Sequence, residues 1–103
     1  MATPVLSTRY LTYADSATLD AFAQNAVITG TKGTAMTLTL PESTSVMFPN
    51  GTQIHVIQTA AGAVTVAKTG SDTIVGSTAT TAAGDTLILT KTGATAWHVG
   101  LAT

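Results

Sequence analysis

The chain has no cysteine. Neither a disulfide nor a thiolate metal site can therefore staple it, and the redox compartment stays open. Formal charge is nearly as scarce: 9% of the 103 residues are Asp, Glu, Lys or Arg, against about 25% in an ordinary globular domain. The cations are Arg9, Lys32, Lys68 and Lys91, scattered singly. A phosphate-binding surface needs such residues clustered, so nucleic acid is not an expected partner. No apolar run approaches the ~18 residues of a membrane helix, and Met1-Ala2-Thr3-Pro4 has neither the basic nor the apolar region of a signal peptide. No membrane partner is expected.

Low charge alone would also fit disorder, but disordered chains are poor in hydrophobic residues. This chain is 45% hydrophobic, so it folds, and its length sets one domain. Two readings of the uncharged surface stand side by side. One is a threonine-coated monomer. The other is a surface largely covered by neighbouring subunits, because an uncharged monomer has little to oppose association.

Threonine is the commonest residue type, with 23 copies. Its β-branch suits a pleated, half-buried surface, and its hydroxyl stays available to water. Short β-compatible runs are separated by small-residue turns about every 8 to 12 residues, the pattern of an all-β sandwich or barrel. Thr34 to Leu40 is the clearest strand: Met36, Leu38 and Leu40 point one way, Thr37 and Thr39 the other. Pro49-Asn50-Gly51 then opens a strand from Thr52 to Gln58. The loop at Gly62 followed by Ala63 to Ala67 reads as the second half of a hairpin. Further strands are expected at Arg9–Tyr13, Ala26–Thr29, Thr73–Val75, Thr86–Lys91 and Ala96–Gly100. In the first of the last two, Leu87 and Leu89 face inward and Ile88 outward; in the second, Trp97 and Val99 share one face and His98 takes the other. Ser16 to Asn25 is the one helical candidate, with Asp15 or Ser16 as cap and Leu19, Phe22 and Ala23 on one face. The fold expected is a small antiparallel β-sandwich or barrel, jelly-roll-like, with one short helical turn near residues 16–24. Residues 1–11 form an N-terminal arm and residues 12–103 the β-domain.

Catalytic chemistry is not indicated. His55 and His98 lie in no nucleophile or metal motif, and no Ser occupies a Gly-x-Ser-x-Gly elbow. The carboxylates Asp15, Asp20, Glu42, Asp72 and Asp85 are not spaced as an acid–base pair. Asp72 and Asp85 stand in Gly-containing turns, where Asp closes the turn with its own side chain. Neither a metal nor a cofactor is expected. Trp97 reads as a core or interface plug, or, if exposed, as a sugar-stacking platform. His55, Ile57 and Ile88 are the candidate subunit interface, since they put apolar bulk on the second face of strands already apolar on the first.

One resemblance sharpens this. Thr12-Tyr13-Ala14-Asp15, the strand Thr37-Leu38-Thr39-Leu40-Pro41, Phe48-Pro49-Asn50-Gly51-Thr52, and Gln58 to Gly62 followed by Val64-Thr65-Val66 occur in this order. Thr73-Ile74 and Leu87-Ile88-Leu89-Thr90-Lys91-Thr92-Gly93, with Trp97 and Gly100 behind, complete the set. Together they resemble a β-rich module of tailed-bacteriophage virion proteins over most of residues 12–100. The stretch from Ser16 to Asn25 departs from it, being longer than that module's usual entry. The resemblance implies a non-enzymatic virion structural protein, commonly a trimer. A chain of this length has no room for a long shaft, so a capsid decoration (cement) protein is expected, bound to the major capsid protein on the capsid exterior and assembled in the host cytoplasm. Val5, Leu6 and Arg9 of the N-terminal arm are the expected capsid contacts; a frayed terminus is the plainer reading of the same residues. A tail fibre, head fibre or tailspike component contacting host carbohydrate is the alternative.

Overall fold

The computed structural model describes residues 10–20, 23–42, 48–70 and 72–102. Nine strands follow in order: β1 (Tyr10–Tyr13), β2 (Ala17–Thr18), β3 (Val27–Gly30), β4 (Met36–Thr39), β5 (Gln53–Gln58), β6 (Val64–Ala67), β7 (Thr73–Gly76), β8 (Thr86–Gly93) and β9 (Ala96–Ala102). They build a six-stranded sheet, β1-β3-β5-β8-β9-β7, and a three-stranded sheet, β2-β4-β6. The protein is thus all-β across its described residues.

From β1 to β6 the chain alternates between the sheets, and each strand lies parallel to its predecessor in the same sheet. Parallel neighbours cannot be joined by a tight turn; they need a crossover. Here the crossover out of one sheet is the strand of the other. Val27 pairs with His55 in the large sheet and Met36 with Val64 in the small one, so both registers advance by the same number of residues. The corners stack as well: Thr31 N–H donates to the Tyr13 carbonyl at 2.9 Å, Thr59 N–H to Gly30 at 3.0 Å, and Gly62 N–H to Lys32 at 3.2 Å.

The antiparallel expectation therefore holds only where β8 pairs with β5 and β9, and at the Thr65–Ala79 bridge. The hairpin expected at Gly62 is not formed, because β5 and β6 belong to different sheets. Gly62 is a corner laid against the preceding corner. A Cβ there would lie 1.9 Å from the Thr34 carbonyl oxygen, so no other residue fits without moving backbone.

The helical expectation near residues 16–24 is met only at its end, where Ala23 N–H donates to the Asp20 carbonyl at 3.0 Å in a single 3-10-type turn. Ala17–Thr18 is β2, registered on Leu38 and Thr39. Ser16 caps no helix; its Oγ accepts from Thr37 N–H at 2.9 Å. A helix this short is marginal on its own even with good helix formers, and it yields to a ladder that also buries Leu19. Phe22 lies outside the described residues. Tyr10 and Leu11 belong to β1, within the strand expected at Arg9–Tyr13.

The core is one cluster fed from both sheets. Ile28, Val56, Leu87, Ile54, Leu89 and Val99 come from the large sheet, and Met36, Leu38, Val64 and Val66 from the small one. The sheets approach closely at Gly30, where a Cβ would sit 2.7 Å from Val64 Cγ2. At one end Trp97 meets Phe48 edge-on, with ring centroids 5.7 Å apart. Lys91 is buried beside them, its Nζ donating to the Phe48 carbonyl at 3.2 Å and lying 5.4 Å from the Trp97 ring. A buried ammonium persists only with such partners.

Residues 78–80 close the outer side of β6: Val66 N–H donates to Thr78 at 2.7 Å and Thr80 N–H to Val64 at 3.0 Å. The Thr80 hydroxyl accepts from Val64 N–H at 2.9 Å and donates to Gln58 Oε1, while Gln58 Nε2 donates to the Ala60 carbonyl at 2.9 Å. Both side chains are buried. Thr80→Val strands the Gln58 oxygen and the Val64 N–H, so it is expected to lower unfolding free energy by about 1–3 kcal/mol, read from urea denaturation midpoints.

Asp85 ties the loop that leads into β8. Its carboxylate accepts from the Thr81 hydroxyl at 2.6 Å, Thr81 N–H at 2.9 Å and Ala82 N–H at 3.1 Å. The hydroxyl bond first, then the N–H bonds, hold its pKa below the ordinary value. The folded value being the lower one, this contribution is complete above the unfolded value of about 4 and is lost as pH falls through the folded value. Asp85→Asn is expected to flatten the acid limb of the stability–pH curve, measured by urea midpoints between neutral pH and the acid transition.

Candidate functional site: the outer face and edges of the large sheet

Residues paired across a sheet share a face, and successive residues alternate. The ladder registers thus sort the large sheet into rows. Leu11, Ile28, Val56, Leu87 and Leu101 form one inner row; Ile54, Leu89 and Val99 form another. The outer rows are Tyr10-Val27-His55-Ile88-Gly100, Thr12-Thr29-Ile57-Thr86-Ala102 and Gln53-Thr90-His98-Val75. None of these outer residues is Asp, Glu, Lys or Arg.

The three residues expected at a subunit interface come together here. His55 is registered directly on Ile88, and Ile57 is the next outward residue of β5. All three are half-buried. Val5, Leu6 and Arg9 lie outside the described residues. His98 stands exposed on the same face as His55, so both histidines of the chain share it. Asp72 and Asp85 are buried and off it. Among the described residues no group of three or more His, Asp or Glu could hold a metal ion, and no helix is long and apolar enough to cross a membrane.

Trp97 is buried to 1% exposure, which places it in the core and not on a sugar platform. Among the described residues, the large apolar side chains that stand exposed are Tyr10, at 68%, and Val75, at 63%. They occupy the two edge strands, β1 and β7, at opposite sides of the sheet. Sequence reading passed over both. Tyr10 and Val75 were each read as ordinary residues of short strands, Arg9–Tyr13 and Thr73–Val75. Only the strand order makes them edges.

Charge near the face is held at its margin. Lys32 Nζ bonds the Asp15 carboxylate at 2.7 Å on the exposed corner beyond β1. That hydrogen bond, with one from Ser16 N–H, draws the Asp15 pKa down. Burial, then the nearby Asp20 charge, raises the Tyr13 phenol.

Comparison with family models, curated proteins and solved structures finds no match for this chain.

The sidedness has a direct consequence. Ile88→Lys puts its charge on the outer face, where the lysine stem can lie along the sheet. It is expected to cost less than about 1 kcal/mol. Leu87→Ala, one residue away but in the inner row, is expected to cost about 2–5 kcal/mol. Urea denaturation of the two variants checks the assignment.

Proposed function

We propose that the chain is a structural protein of a tailed-bacteriophage virion, a capsid decoration (cement) protein that binds the outer shell and stabilises it. It does no chemistry in this role. It works as a homo-oligomer, a trimer in this reading, with the major capsid protein as partner on the capsid exterior. The observation that carries the proposal is the outer face of the six-stranded sheet, which holds no Asp, Glu, Lys or Arg. Desolvating such a face strips water from no carboxylate, ammonium or guanidinium, which suits continuous protein–protein contact and offers a polyanion no lysine or arginine patch. The ordered motifs from Thr12 to Gly100 add the virion setting by resemblance alone, and a fold by itself does not carry function.

A fibre or tailspike component is the second reading. What favours it is the parallel winding of β1 to β6, since units of that kind stack end to end into elongated assemblies. Host glycan would then meet Tyr10 and the loop tips, not Trp97.

Quantitative mass spectrometry of purified virions tests the choice. Decoration requires a copy number comparable to that of the major shell protein. A ratio far below it supports the fibre reading, and absence from virions overturns both.

A further inference from the structure

We propose that copies of this chain join head to tail through the two edges of the large sheet, β7 of one copy pairing in parallel with β1 of the next. The inference deepens the homo-oligomer of the reading above and rests on that part of it, not on the virion setting.

The first ground is an asymmetry of protection. Exposed edge strands template association, and proteins ordinarily blunt them with charge, proline, brevity or a cover. The small sheet is treated that way: β2 has two residues, and residues 78–80 cover β6. Among the described residues, nothing covers the edges of the large sheet. β1 reads Tyr-Leu-Thr-Tyr and β7 Thr-Ile-Val-Gly, equal in length and free of charge and proline. Each carries one of the exposed large apolar side chains, Tyr10 and Val75, and both point to the outer face.

The second ground is register. β1 and β7 run in the same direction, since two antiparallel steps separate β5 from β9 and every other step is parallel. The Tyr13 carbonyl is taken by Thr31. By alternation Leu11 and Tyr13 turn their backbone groups to β3, while Tyr10 and Thr12 turn theirs to the open edge. On β7, Thr73 N–H donates to Thr95 and Ser77 N–H to Val99, so Ile74 faces the open edge. Of the parallel registers this parity allows, the one that overlaps the two four-residue strands in full puts Ile74 opposite Leu11, with Ile74 N–H donating to the Tyr10 carbonyl and Thr12 N–H to the Ile74 carbonyl. That register keeps faces matched. Leu11 and Ile74, both half-buried against the core, meet on the inner side. Val75 meets Thr12, and Thr73 meets Tyr10, on the outer side.

The third ground is count. A two-fold pairing of β1 with itself would leave every β7 open, whereas head-to-tail pairing in a closed ring satisfies both edges of all copies. One junction of four residues falls short of the roughly 1,000 Å² that a stable pair requires. Closure is therefore what holds the ring, and assembly is expected to be cooperative in concentration.

Light scattering on the full chain tests this, together with cross-linking of Thr12→Cys/Val75→Cys. The chain has no other cysteine. Within one molecule these positions are five strand spacings apart, about 24 Å, too far for a disulfide. The expected result is a closed oligomer for the native chain and monomer for Val75→Lys and Thr12→Pro. Ile88→Lys is expected to leave the oligomer intact. Oxidation should give the double-cysteine variant a ladder that ends at the ring, and should leave each single variant uncross-linked. A native chain that stays monomeric and gives no ladder overturns the proposal. So does assembly lost only in Ile88→Lys, which would place the interface on the sheet face at His55, Ile57 and Ile88. Dimers of the single Thr12→Cys variant would show β1 paired with itself and also overturn it. Circular dichroism separates loss of assembly from loss of fold, with Val75→Lys as the variant that leaves backbone bonding untouched. None of these readouts involves virions, so they stand or fall apart from the copy-number result.

Discussion

Parallel pairing of β3 between β1 and β5 is the constraint on which the rest of the molecule depends. It forbids a tight turn at either end of β3 and sends the chain across to the second sheet and back. The small sheet exists because the large one needs crossovers, and its own strands are parallel for the same reason. Once the coil is set, corners must stack on corners. Hence Gly62 fits against Lys32–Thr34 only because it has no Cβ, and Gly30 lets the two sheets close on Val64 and Met36.

A coil of this kind has two ends, and they are finished differently. After β6 the chain reverses: residues 78–80 run antiparallel along β6, and β8 runs antiparallel along β5. The reversal caps the small sheet and lets β8 and β9 widen the large one. Phe48, Lys91 and Trp97 lock that region, with the Lys91 ammonium bonded to the Phe48 carbonyl beside the indole ring. Widening has a cost in exposure, because the large sheet ends in strands that no later segment of the described chain covers.

Sidedness was legible in the sequence; direction was not. Alternation in Met36–Leu40, Ile54–Gln58 and Leu87–Leu89 tells which residues point inward, and the buried sets agree with it. Alternation is the same for parallel and antiparallel strands, so it cannot say that β5 and β6 belong to different sheets. The repeat that would have said so is degenerate. Val27–Leu40 and His55–Lys68 align with only Thr31 and Thr59, Ala35 and Ala63, and Thr37 and Thr65 identical. Those are residues at or near corners and on the outward side of the small sheet, where threonine and alanine are common throughout this chain. Lys91 was read only as one of four scattered cations at the end of a strand; it continues the inward alternation of Leu87 and Leu89. The face at His55, Ile57 and Ile88 could be anticipated from apolar residues on both sides of a strand. The edges could not, because being an edge is a property of strand order alone.

The scarcity of charge and the open edges belong to one physical argument. A solitary β-protein with two unblunted edge strands and a wide uncharged face has little barrier to indiscriminate pairing. The usual remedy is a lysine or a proline at the edge, and neither β1 nor β7 has one. The same chain protects β6 with a dedicated segment, so edge protection is within its means. Where one sheet is guarded and the other left matched in length, direction and apolar content at its two sides, the open edges are better explained as complementary halves of a junction than as a defect. The register follows from which backbone groups β3 and β9 have already claimed, and it brings Leu11 to Ile74 and Thr12 to Val75 with inner side on inner side and outer on outer.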